Sequence, residues 1–271
     1  MDPSIAALNL FRRLPPEEVE QTFYSVARLR EDLADNLLQH IDFPLKTGYD
    51  AEADKAFIQS DFNNCDNSYR SPWTNQYFPP IDNGFYPSPH VRSLEETANF
   101  LFSKYREMFG AYYGGGVSSV YLWQNDTHLC GCFLILKEVA ESPSGITGSW
   151  HALHIVEVIP DEAKGMAEYR LTTSIQLFLT VKTAAVGEAR QNGTLTRQSS
   201  QLMAFKNDEE HLSNIGQMIE QMENFIRSNL DTLYLSKNEE TVDGIRILHP
   251  SSLPKRSLLA ELSGQLRPRV D

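Results

Sequence analysis

Apolar positions recur with two different periods along this chain, and the change of period divides it. Over residues 1–45 the spacing is helical. Ile5, Leu8, Leu10 and Phe11 give a first short helix an apolar side, with Asp2 suited to its cap and Pro3 to its first turn. Pro15-Pro16 interrupts that helix. Glu17, Glu18 and Glu20 then open a second helix with acid in its first turn, as the helix dipole favours. Leu29, Leu33, Leu37, Leu38 and Ile41 predict a third helix over 28–41, with Pro44 marking its end. The three are expected to pack on one another.

Residues 60–90 lose periodicity and gain Asn, Asp, Ser, Pro and aromatic side chains, which predicts an ordered, aromatic-anchored loop region with short strands. Helical spacing returns over 93–109, with Leu94, Ala98, Leu101, Phe102 and Tyr105 on one side. Strand patterns follow at 117–123, 129–137, 149–158 and 167–182, with a weaker fifth within 193–205. Their connections are too short for crossover helices, so neighbours run antiparallel, as a meander. Beyond them, Leu212, Ile215, Ile219, Met222, Phe225, Ile226, Leu230 and Leu233 make a stripe with steps mostly of three or four. That predicts one helix over 208–235, a rod of roughly 40 Å that could lie across a sheet and reach a partner. Pro250 and Pro254 set off a tail.

The pattern is that of an α+β protein. A short-helix bundle at 1–45 is followed by a loop region and helix at 46–113 and an antiparallel five-stranded sheet at 114–207. A long helix with a following segment occupies 208–249 and is long enough to lie across the sheet, and a tail with an amphipathic leucine pattern occupies 250–271.

Charge narrows the function classes. The chain has 271 residues, 24 basic and 36 acidic, for a net −12, which argues against a general nucleic-acid binder because that affinity needs clustered Lys and Arg. The tail carries four basic residues and two acidic ones, whereas the remainder is strongly acidic. No apolar run approaches the ~18 residues of a membrane span. The opening MDPSIAALNLFRRL lacks a basic stretch followed by an apolar one, so no secretory signal is expected. Three cysteines, Cys65, Cys130 and Cys132, read as reduced thiols.

Candidate chemistry is sparse. Phosphate-loop, dinucleotide and nucleophile-elbow motifs are absent. Gly114-Gly115-Gly116 reads as a turn before a strand. His128, Cys130 and Cys132 share one strand face, but a zinc site needs a fourth ligand and no second pair is evident, so they read as packed strand residues. His151 and His154 fall on opposite faces, which counts against joint ligation. Asp61, Asp66 and Asp82 sit in turn-rich sequence without EF-hand spacing. No enzyme, metal or cofactor is expected.

The tail KRSLLAELSGQLRPR is more suggestive. As a helix it would align Leu258, Leu262 and Leu266, with Leu259 beside them and Lys255, Arg256, Arg267 and Arg269 flanking. Burying one leucine contributes roughly 1.5–3 kcal/mol. Such a strip suits a groove on a partner, or equally a seat on the chain's own domain. Gly264 and Pro268 shorten any helix there.

Several stretches resemble the beta subunit of the F-actin capping proteins. They are RRLPPEEVE, SYRSPWTNQYFPP, GGVSSVYLW, HIVEV, GTLTRQ and NIGQMIEQMENFIRSNLDTLY, in the family's order and over nearly the whole chain. The family's CDYNRD signature appears as SDFNNC at 60–65, keeping Asp61 and Asn63, which makes this a divergent member.

The resemblance implies a heterodimer with an alpha subunit, the two sheets joining edge to edge, and an exposed sheet edge by itself invites pairing. The same resemblance implies that the long helix lies on the sheet and that the tail is mobile. It implies binding to the barbed end of actin filaments in the cytoplasm and cytoskeleton, blocking subunit addition and loss there without chemistry. It places actin binding on Leu258, Leu259, Leu262, Leu266, Lys255, Arg256, Arg267 and Arg269. It also implies regulation by phosphoinositides and stalk-binding peptides. On the long helix, Ile215, Ile219, Met222 and Ile226 are candidates for the subunit interface. The alternative is the same fold serving an actin-related filament without capping conventional actin.

Overall fold

The computed structural model describes residues 3–125, 128–140, 145–183 and 187–229. The chain divides into two compact units, Met1–Arg227 and Ser228–Asp271, and the following concerns the first. The predicted cap Asp2 and the segment 230–271, with every tail residue named above, lie outside the described residues.

Three helices open the chain: α1 (Pro3–Phe11), α2 (Pro16–Leu29) and α3 (Glu31–Leu38). Glu17 and Glu18 sit in the first turn of α2, as the sequence predicts, and Pro16, read there as part of the interruption, is the helix's first residue. The third helix is shorter than expected, because the backbone leaves helical geometry at Arg30 (φ −143°). The leucine spacing across that break does not define one face, so Leu29 (82% exposed) and Leu38 (54%) point outward. Phe11, Val19, Phe23, Leu37 and Ile41 form the bundle core.

A hairpin the sequence pattern did not announce follows, β1 (Lys46–Asp50) and β2 (Lys55–Gln59). Its turn is organised by Asp50, whose carboxylate accepts from the N–H groups of Glu52 and Ala53. The aromatic region holds three short strands, β3 (Asn64–Cys65), β4 (Ser68–Arg70) and β5 (Tyr77–Phe78), in one small sheet. Asn63 anchors it from a 3-10 turn at Asp61–Asn63. Its buried amide donates to the carbonyls of Ile58 and Arg70 at 3.3 and 2.9 Å. Of the two residues of SDFNNC that match the family signature, Asn63 is buried, whereas Asp61 is exposed.

Helix α4 (Pro89–Met108) begins earlier than expected. Ser88 caps it, accepting from the N–H of Val91, and Pro89 occupies its first turn. After the short α5 (Gly110–Tyr113), Gly115 takes φ +74°, a conformation glycine adopts freely, and turns the chain into the sheet.

The sheet comprises β6 (Val117–Asn125), β7 (His128–Val139), β8 (Ile146–Asp161), β9 (Met166–Thr183) and β10 (Gly187–Ala204). Its order, β10-β9-β8-β7-β6, is the expected antiparallel meander. The last strand is as long as β9, its polar first half being carried by the ladder from Gly187↔Thr183 onward. Cross-strand partners share a face. Tyr121, Cys132, Leu134 and Leu136 therefore pack with Ile58 and Leu45 on one side. Val120, Phe133 and His154 look to the other, where Phe102 of α4 meets Phe133 edge-on at 5.5 Å.

Helix α6 (Asp208–Ser228) closes the described chain. Asn207 Oδ1 accepts the Glu210 N–H, and Glu210 accepts the Lys206 N–H, which fixes the helix start. Its 21 residues make a rod of about 31 Å. It ends at Ser228, short of the expected 235, and Leu230 and Leu233 fall outside the described residues. No helix among the described residues is long and apolar enough to cross a membrane.

Candidate interaction surface

A sheet has two edges, and each leaves a row of backbone N–H and C=O groups to be satisfied. In this sheet α4 closes the edge at β6. Asn99 donates to the Val120 carbonyl and accepts the Val120 N–H, both at 2.8 Å, standing in for a neighbouring strand. Glu95 Oε2 accepts the Leu122 N–H at 2.8 Å, and Arg106 donates to the Gly116 carbonyl. Residues 95, 99 and 106 lie on one side of the helix, so a polar stripe runs along the strand it seals.

Charge inside that seal is balanced locally. Glu95 is fully buried, with Arg70 paired to both its oxygens at 2.7 Å and Arg92 to one at 2.6 Å. Burial works against the Arg70 charge, but Glu95 outweighs it and holds the guanidinium above its ordinary pKa. Arg70 also reaches Asn75 and lies over the Tyr121 ring. The Tyr121 hydroxyl, pushed well up by burial, donates to the Ile58 carbonyl.

The β10 edge is different. The Thr194 N–H points away from β9 and donates to the Arg12 carbonyl at 2.9 Å. The register with β9 runs unbroken to Ala204↔Met166, so alternation sends the N–H groups of Thr196, Gln198, Ser200 and Leu202 outward as well. Among the described residues none of these four meets a partner. Thr196, Gln198 and Ser200 are exposed, and Leu202 is 66% exposed. A run of outward backbone groups without partners among the described residues is suited to accept another strand.

The candidates on α6 fall differently. Ile215, Ile219 and Ile226 are almost completely buried within this chain, at 1%, 1% and 0% exposure. They belong to its own core, which corrects their assignment to a subunit interface; Met222 is half-buried. Periodicity locates an apolar stripe without saying which surface covers it, and here the sheet of the same chain does. Phe225, expected on the stripe, is 48% exposed, while Glu223 and Arg227 take buried positions.

The remaining candidates are structural. Cys132 is buried with Tyr121 and Leu134, which pushes its thiol well up, and Cys130 is raised for the same reason. His128 pairs with Glu157 at 3.1 Å. His151 and His154 do occupy opposite faces. His151 accepts the Leu45 N–H at 3.1 Å, and burial lowers its pKa to about 4. His154 faces Thr173, at 2.9 Å. Among the described residues no three His, Cys, Asp or Glu side chains are placed to hold a metal.

The sealing residues Glu95 and Asn99 escaped the sequence reading. Their signal was present, since both fall beside Leu94, Ala98 and Phe102 on the helix side that periodicity marks as buried.

The family model described as "F-actin capping protein, beta subunit" matches residues 4–242. The chain belongs to this family. It is similar to the Drosophila melanogaster F-actin-capping protein subunit beta, at 40% identity over 240 residues, 89% of this chain and 86% of that one. The Dictyostelium discoideum protein of the same name is 38% identical over 260 residues, covering 95% and 94%. That of Schizosaccharomyces pombe is 35% identical over 274 residues, covering 97% and 100%. Among solved structures, the homodimeric actin capping protein alpha subunit from Plasmodium berghei shows 17% identity and a TM-score of 0.49, covering 90% of this chain and 96% of that one. In this capping-protein beta chain, then, one sheet edge is closed by its own helix, whereas along the other the outward N–H groups of Thr196, Gln198, Ser200 and Leu202 meet no partner among the described residues.

Proposed function

We propose that this chain is the beta half of a heterodimer that caps the barbed ends of actin filaments. An alpha subunit adds its sheet along the outer edge of β10, and the pair blocks subunit addition and loss at the filament end. The observation that carries the reading is the contrast between the sealed β6 edge and the outward N–H groups of Thr196, Gln198, Ser200 and Leu202, which have no partner among the described residues. Family membership supplies the filament as target.

The mechanism needs no bond made or broken. Occupying the terminal subunits excludes the next one sterically. Two attachment points in one rigid complex raise each other's effective concentration, so the complex leaves only when both release. The C-terminal segment supplies one of them through Leu258, Leu259, Leu262 and Leu266, with Lys255, Arg256, Arg267 and Arg269 facing acidic actin surface. The site of action is the cytoskeleton, with phosphoinositides and regulatory peptides as modulators.

The test is co-expression with an alpha subunit and measurement of barbed-end elongation from preformed filament seeds, with and without residues 254–271. Elongation stops at nanomolar concentrations, a binding free energy of ~12 kcal/mol, and removing the tail weakens the block. A folded complex that leaves elongation untouched overturns the proposal.

A further inference from the structure

Helices α4 and α6 lie side by side and are tied near both ends. His90 Nε2, at the start of α4, sits 2.8 Å from Asp208 Oδ2, at the start of α6. Toward their other ends Arg227 Nη1 donates to the Tyr105 hydroxyl at 3.2 Å. Between the ties the helices leave an apolar groove of about 170 Å³. Ala98, Leu101 and Phe102 of α4, Phe133 of β7, and Leu212 and Ile219 of α6 line it. An apolar cavity of about 150 Å³ takes up a benzene-sized group, so the groove has room for a large apolar side chain. Leu101 on its α4 wall is 51% exposed, and Met108, two turns further along the same side of the helix, is 80% exposed.

The α6 wall carries two features that packing within the described chain does not account for. Gly216 lines the groove from the middle of the helix, where glycine is less favourable than alanine. A Cβ there would meet nothing within 4 Å, so no described neighbour excludes a side chain. Its absence keeps the wall low and lets an outside group come close to the helix backbone. Glu220, one turn on, also lines the groove, and Glu209 continues the same stripe two turns back. Among the described residues neither carboxylate meets a cation or a hydrogen-bond donor. The basic residues of α4 are engaged elsewhere: Arg92 with Glu95, Lys104 with Glu107, and Arg106 with the Gly116 carbonyl. The two bare acids stand about 16 Å apart along the helix axis.

We propose that this groove docks an amphipathic helix from a partner protein outside the heterodimer, seating an apolar side chain over Gly216 and presenting Lys or Arg to Glu220 and Glu209. Both walls are helices whose backbone groups are bonded internally. They offer an incoming segment a groove and side chains, and no ladder to join. A third helix fits that offer. Charge selects its flanks, because bare carboxylates on a chain of net −12 favour basic residues about three turns apart. A second copy seated groove to groove would set these carboxylates against their own counterparts, which is repulsive. The ties at His90 and Tyr105 already hold the walls, so docking has little of this chain to order. The groove lies over β7 beside the sealed edge, at the opposite side of the sheet from β10. That the helix comes from a third chain rests on the pairing edge proposed above.

The probe is a fluorescein-labelled, alanine-rich synthetic helix with two leucines one turn apart, flanked by Lys residues three turns apart; its control carries Glu in place of Lys. Anisotropy is read against the full-length chain, with and without the alpha subunit. Saturable binding of the Lys peptide is expected in both, with the Glu peptide about tenfold weaker or more. Gly216→Leu, which puts a side chain into the open groove, weakens binding about tenfold. Glu209→Lys combined with Glu220→Lys weakens it about fivefold, and less as salt is raised. Gln217→Leu, at the next exposed position of α6, leaves it within about twofold. No saturable binding, equal binding of the two peptides, or indifference to Gly216→Leu overturns the proposal. So does binding seen only without the alpha subunit, which makes the groove part of the subunit interface. Binding seen only after residues 250–271 are removed overturns it too, since the chain is then its own occupant. Elongation assays on the same complex read the capping proposal separately, because the peptide binds whether or not the complex caps.

Discussion

The two edges of the sheet meet the same chemical demand in opposite ways. At β6 the outward backbone groups of Val120 and Leu122 are taken up by Asn99 and Glu95 of α4. At β10 the corresponding groups of Thr196, Gln198, Ser200 and Leu202 have no partner among the described residues. An edge closed with dedicated polar side chains is withheld from strand pairing, while four outward N–H groups without a partner among the described residues invite it. Edge-to-edge pairing at both ends would build an open-ended array, whereas one sealed edge limits the sheet to one partner.

The largest effect is expected at the sealed edge. Glu95→Ala leaves Arg70 and Arg92 facing each other without their shared carboxylate and orphans the Leu122 N–H. Removing one member of a buried ion pair costs about 3–5 kcal/mol. Urea unfolding at fixed protein concentration reads it, and a loss below about 1 kcal/mol would mean that α4 does not depend on this seal.

A pair of neighbouring prolines sharpens the contrast at the open edge. The Ser200 N–H points outward and the Ser199 N–H points into the ladder, opposite Leu171. Proline tolerates an edge position but removes a donor wherever it sits. Ser200→Pro is expected to leave the chain's folding nearly unchanged while weakening alpha-subunit binding by about tenfold or more. Ser199→Pro destabilises the chain itself by about 1–3 kcal/mol. Binding titrations and unfolding curves separate the two. Equal behaviour of the two variants would show that β10 is not the pairing edge.

The middle of the sheet supplies a reference that neither edge should disturb. His151 is buried and neutral, its pKa lowered from 6.5 to about 4. Below pH 6.5 the unfolded chain therefore binds a proton that the folded chain refuses. This contribution to stability is complete above pH 6.5 and is lost as pH falls toward about 4, with a slope of at most about 1.4 kcal/mol per pH unit. His151→Gln should flatten that part of the stability–pH curve whether or not the alpha subunit is bound. A slope that persists would place its origin elsewhere.

Much of this fold was legible in local pattern. Proline and glycine punctuation with the two apolar periods located α1, α2, α4, the meander and the start of α6, because those signals act over a few residues. Misreadings came where apolar periodicity carries no signal for a local break or turn, or where a distant part of the chain decides the outcome. The break at Arg30 turned Leu29 and Leu38 outward. The hairpin of β1 and β2 depends on Asp50 bending back to its own turn, which apolar periodicity does not register. Ile215, Ile219 and Ile226 were legible as a stripe, but not as one their own sheet would cover.

The sequence by itself determined the order and kind of the elements, the acidic body with its basic, leucine-bearing tail, and membership of the beta-subunit family. Only the tertiary structure decided which polar residues turn inward. Glu95 and Asn99 become edge seals because β6, more than twenty residues away, brings them bare backbone groups, and Glu223 and Arg227 become a buried pair because Tyr113 and His154 meet them there. Burying a polar side chain is costly unless partners meet it, and most of these polar atoms find one. Those partners lie far along the chain and come together only when it folds.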